Sequence, residues 1–166
     1  MKADVRGAFT QCVFGCAEAR AHQLKARQQS TNMSYTVFVQ KFANGEPSAF
    51  PFALVVSILQ RYGDVGDAGG RLEFTPADDD LCEVGFVGGS EAKGIESVIF
   101  ERPVSGGRLA PLVFELLGLP GMCYYELDCS YVLARTEITA ELPPGLADMC
   151  ESGTVTVISS ASEVPL

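Results

Sequence analysis

The chain has 166 residues and a mass of 17.7 kDa, the size of one domain with a small appendage, and 47% of it is hydrophobic. A mean hydropathy of +0.17 excludes a disordered or low-complexity chain. The net charge of −9, from 12 Lys and Arg against 21 Asp and Glu, excludes a phosphate-reading nucleic-acid binder, which needs a basic patch to displace counterions.

That charge is divided along the chain. Residues 1–32 carry Lys2, Arg6, Arg20, Lys25 and Arg27 against Asp4 and Glu18, a net +3; residues 33–166 carry −12. The division predicts a basic helical arm over 1–32 and an acidic α+β domain over 33–166, beginning at Met33. Within the arm, Val5, Phe9, Cys12 and Cys16 recur at helical spacing, which makes one apolar stripe. Such an arm suits docking on an acidic neighbour, either its own body or, in a homodimer, a second copy. Translated sequence upstream of a natural start at Met33 is the third reading.

In the body, Tyr35–Phe42 reads as a strand closed by the turn signal Asn44–Gly45. Residues 50–62 read as a helix with Pro51 at its first position and Gly63 as a left-handed residue after its end. Its inward face is Phe52, Val55, Val56, Leu59 and Tyr62, and residues 64–70 read as a loop. Three runs around Leu72–Phe74, Cys82–Phe86 and Ile95–Glu101 then suggest an antiparallel meander, the third run most central because both its faces are partly apolar.

A second helix is expected over Ala110–Leu117, with Leu109, Leu112, Val113, Leu116 and Leu117 on one face. Strands follow at Met122–Asp128, at Thr136–Leu142 and at Thr154–Ser159. A helical turn is expected up to Met149, and residues 160–166 read as a loose tail. The fold class is α+β: a mainly antiparallel sheet with two helices packed on one face, plus the arm.

The chemistry is sparse. The single histidine, His22, lies in the arm, so the body can build neither a His-based triad nor a multi-His metal site. The six cysteines Cys12, Cys16, Cys82, Cys123, Cys129 and Cys150 contain no CxxC pair and read as reduced, mostly buried thiols of a cytoplasmic protein. The N-terminal apolar run Cys12–Phe14 is too short for a secretory signal, and Phe50–Leu59 is too short to span a bilayer. Asp78, Asp79 and Asp80 with Glu83 lack the glycine and the final acidic ligand of a calcium loop and read as a hairpin turn. No metal or cofactor is expected.

Two features are site-like. Arg102–Arg108 joins a strand to a helix, and Arg102, Ser105, Gly106, Gly107 and Arg108 could hold an anion there, although turn and cap chemistry accounts for the same residues. Glu126 and Asp128 share a strand face and could do acid–base work if buried, a solvated sheet face being the plainer reading. The remaining candidate is an acidic interaction face made of Glu73, Asp78, Asp79, Asp80, Glu126, Asp128, Glu137 and Glu141, suited to a basic protein partner or to plain solubility.

The stretch Phe100–Val104 running into Leu109–Leu117, with Leu142–Pro143 later, resembles small acidic bacterial α+β proteins of the toxin-immunity kind. That resemblance implies a non-enzymatic inhibitor that masks the active site of a basic toxin or nuclease. The competing expectations are a small-anion or enzyme domain built on Arg102–Arg108 and an architectural homodimer joined through residues 1–32.

Overall fold

The computed structural model describes residues 36–67, 72–77, 82–101, 103, 107–129, 131–149 and 154–166. The arm over 1–32 lies outside the described residues. Strand β1 (Thr36–Ala43) sits in the middle of the main sheet, paired antiparallel with β6 (Gly94–Glu101) on one side and β7 (Met122–Glu126) on the other. The order across the sheet is β5-β6-β1-β7-β8-β9, where β5 is Glu83–Ser90, β8 Val132–Ala134 and β9 Thr156–Val157. Among the described residues only the β8–β9 pair is parallel. The chain is therefore α+β with a mainly antiparallel sheet.

The turn signal Asn44–Gly45 forms a two-residue hairpin into the short strand β2 (Glu46–Pro47), with φ of 53° and 81° at the two positions. Two successive left-handed residues give the turn whose twist matches the strands, and Asn-Gly tolerates both.

Alternation along the strands makes two apolar layers. On one face Val37, Val39, Val98, Phe100, Met122, Tyr124 and Leu133 meet helices α1 (Phe52–Leu59) and α2 (Leu109–Leu116). Leu109, Leu112, Val113, Leu116 and Leu117 are all buried there, the face expected from their spacing. On the other face Phe42, Cys123, Tyr125, Val132 and Ala134 are covered by Ile138, Leu142, Leu146 and Val155. Those covering residues come from a 3-10 turn (Thr139–Glu141), helix α3 (Pro144–Met149) and the approach to β9.

Several local expectations are corrected. Helix α1 is shorter than residues 50–62, because Phe50 exchanges two backbone hydrogen bonds of 3.0 Å with Ile95 and so joins the sheet. Gly63 is not left-handed but opens strand β3 (Gly63–Asp67), so most of the expected loop is paired with β4 (Leu72–Pro76) in a separate hairpin. The meander accordingly holds only for β5 and β6. Thr136–Leu142 is not a strand: Ile138 and Leu142 are buried while Ala140 is exposed, the pattern of a helical turn. The tail is tied down by a 3-10 turn (Ala161–Glu163), whose Ser160–Glu163 capping box holds Val164 in the core.

Candidate interaction face

The two layers do not cover the sheet equally. From β5 to β9 the sheet spans five inter-strand gaps, roughly 24 Å. Helices α1 and α2, with the β3–β4 hairpin, contribute to the cluster over the first face. Over the second face the covering residues reach β1, β7 and β8. One helix is only about 10 Å across.

Register places what remains on the second face in rows. At one end Glu83, Glu101 and Thr36 lie side by side on β5, β6 and β1. The next row is Gly85, Ile99 and Phe38, and the one after is Val87, Ser97 and Gln40. Val87 and Ile99 are half-buried and belong to neither apolar cluster. Phe38 marks the border, stacked on Tyr125 at 5.2 Å between ring centres. The strip thus carries the apolar side chains Phe38, Ile99 and Val87 beside the polar pair Ser97 and Gln40, and is acidic at the end where β1 begins.

Glu83 and Glu101 are both exposed, and directly opposed like charges on adjacent strands repel. Among the described residues neither is in an ion pair. Further along, Ser97 is only 1% exposed, and its hydroxyl has no hydrogen-bond partner among the described residues. Its neighbour Gln40, also buried, accepts a 2.6 Å hydrogen bond from the Tyr125 hydroxyl. Sequence reasoning missed this strip. The signal was present in Ile95–Glu101, apolar on both faces, but one sequence cannot supply the register that puts Glu101 beside Glu83.

The acidic residues singled out from sequence do not form one face. Glu73 is exposed on β4, and Asp78, Asp79 and Asp80 lie outside the described residues. Glu126 stands at the β1-start end of the sheet, opposite Val37. It is half-buried and accepts hydrogen bonds from the hydroxyls of Tyr131 and Tyr124, the latter at 3.3 Å. Asp128 is exposed in the turn after β7. Glu141 lies at the opposite end of β1, its carboxylate accepting from the Asn44 amide at 2.8 Å. Glu137 is exposed, and hydrogen bonds from Thr139 hold its carboxyl below the usual range.

In the Arg102–Arg108 loop, Arg102, Ser105 and Gly106 lie outside the described residues. Gly107 has φ 64°, and exposed Arg108 precedes α2 without a side-chain cap. Because β6 and β7 both run antiparallel to β1, this loop and the Glu126–Asp128 turn share one end of the sheet, with β1 between their strands.

Nearby, Glu115 on α2 bridges Arg61 at 2.5 Å and accepts the Tyr62 hydroxyl at 2.7 Å. Burial, then Glu115, pushes the Tyr62 phenol up. An open cleft of about 440 Å³ lies elsewhere, between α1 and the β3–β4 hairpin, where Phe52, Val56 and Leu72 meet Asp67 and Glu91.

Cys123 and Cys129 are buried in the second layer; Cys12, Cys16 and Cys150 lie outside the described residues. Among the described residues no group of three His, Cys, Asp or Glu side chains could hold a metal ion, and no helix is long and apolar enough to cross a membrane. No family model, curated protein or solved structure matches the chain.

Proposed function

We propose that this chain is a non-enzymatic interaction domain that binds a basic protein through the β5–β6–β1 strip. The observation that carries the reading is the opposed pair Glu83 and Glu101, exposed and outside any ion pair among the described residues, at the end of a strip that carries Phe38, Ile99 and Val87. A cation from a partner relieves their repulsion, and the apolar rows beside them supply contact area. The toxin-immunity resemblance adds a form for the partner: a basic toxin or nuclease whose active site is masked. A reducing, cytoplasmic setting suits the buried Cys123 and Cys129.

The test starts from proteins crosslinked to the full chain in cells, each then purified and titrated against it by calorimetry. The expected partner is basic and loses affinity as salt rises. The double substitution Glu83→Gln, Glu101→Gln should weaken it at least about tenfold, the scale of one good charge contact, while Glu137→Gln leaves it unchanged. Catalytic turnover without a protein partner, or a partner indifferent to Glu83 and Glu101, overturns the reading.

A further inference from the structure

We propose that the open cleft between α1, the β3–β4 hairpin and the β5–β6 turn binds a small organic cation with an apolar body. The cleft lies past the end of β5, whereas Glu83 opens that strand, so the proposal does not rest on the binding reading above.

Three parts of the chain distant in sequence wall the cleft. Helix α1 buries Val55, Ile58 and Leu59 in the core, and Phe52 and Val56, one turn apart, give it a second apolar side. From the hairpin, Val65 and Leu72 extend that apolar lining, and Asp67 adds a carboxylate. The third wall is the β5–β6 turn with Glu91. Gly94 brings the turn there. At φ 72° and with no side chain, it approaches the Phe50 carbonyl so closely that a Cβ would collide with it. Because α1 begins two residues after Phe50, that approach carries Glu91 to the start of the helix. Burial then grades the lining: Leu72 is buried, Phe52, Val56 and Val65 are half-buried, and Asp67 and Glu91 are exposed. The cleft has an apolar floor and carboxylates at its mouth.

The volume of about 440 Å³ is that of a small-molecule site. Four apolar side chains favour an apolar body, and the aromatic ring of Phe52 favours a cation near it. Among the described residues the lining holds two carboxylates and no Lys, Arg or His, which attracts a positive head and repels an anion. Two carboxylates over an apolar floor do not suit a bare metal ion such as calcium, which takes about six to eight oxygen ligands. An ammonium group on a ring or short alkyl chain meets these terms.

The test titrates the isotope-labelled full chain with phenylpropylamine, phenylpropanol and phenylpropionate, which share one body and carry a cationic, a neutral and an anionic head. Amide shifts in the NMR spectrum should place the amine at Phe52, Val56, Val65, Asp67 and Glu91, with the alcohol weaker and the carboxylate not bound. Glu91→Gln should weaken the amine about threefold, the scale of one exposed charge contact, and leave the alcohol unchanged. The double substitution Glu83→Gln, Glu101→Gln should leave the amine unchanged. No shift with the amine, shifts confined to other residues, an amine no tighter than the alcohol, or an affinity that ignores Glu91 or follows Glu83 and Glu101 overturns the proposal. Each of these failures leaves the binding of a basic protein through the strip standing, and loss of that reading leaves this one standing.

Discussion

Ser97→Ala should make the protein more stable. The residue is 1% exposed, lies in register between Val87 and Gln40, and its hydroxyl has no partner among the described residues. An unsatisfied buried hydroxyl costs about 1–3 kcal/mol in proteins. Against that stands the space one oxygen leaves, about 0.4 kcal/mol for a void of ~15–20 Å³, and a few tenths for changed strand preference. The balance is about 1 kcal/mol in favour of alanine. Urea unfolding should show the midpoint rising by about 0.5 M at constant slope, and the melting temperature by about 3 °C. A midpoint unchanged or lowered at the same slope refutes the reasoning and means that the hydroxyl is satisfied in the folded chain. If alanine stabilises, the serine is held at a cost in stability on the face proposed for binding.

Gly63→Ala should be severely destabilising, because a Cβ there collides with the Thr75 carbonyl and the Phe74 ring across the β3–β4 pair; urea midpoints should report a loss of about 2 kcal/mol or more, and an unchanged midpoint overturns the claim. Glu163 accepts from the hydroxyls and amides of Ser159 and Ser160 at 2.8–3.0 Å, with the Ser160 hydroxyl chiefly lowering its pKa. Its stabilising effect is therefore present above the ordinary carboxylate range and lost as pH falls through the lowered value. Glu163→Gln at neutral pH, or the native chain as it is acidified through the lowered value, should lose amide-exchange protection at Val164; equal protection in both comparisons contradicts the capping role.

The elements that were legible in the sequence are those whose pattern is local. Helix α2 shows its buried stripe at Leu109, Leu112, Val113 and Leu116, and Asn44–Gly45 names its own turn. What was hidden depends on partners distant in sequence. Strand β3 has Val65 as its one large apolar residue among Gly63, Asp64, Gly66 and Asp67, and it exists because β4 supplies the backbone pairing. Phe50 read as the first residue of a helix, and the bridge to Ile95 places it in the sheet instead. The candidate site was hidden for the same reason. Glu83 looked like part of an acidic turn and Glu101 like the end of a strand, and register alone makes them neighbours.

The form of β5 favours the face of the sheet over its edge for the proposed contact. β5 ends the strand order, and an unpaired outer edge invites a further strand from another chain. Here the edge is interrupted: pairing with β6 slips at Val87–Gly88 and again before Ser90, and Gly88 sits at φ 87°. A bulge of this kind bends the strand and raises its twist, while exposed Glu83 places a charge at its start. Both features discourage strand addition, which needs a straight run of backbone donors and acceptors. The approach left is the strip on the second face, where Phe38, Ile99 and Val87 lie beside two carboxylates. A basic protein segment with apolar side chains beside its cations meets those terms, which is the partner proposed above.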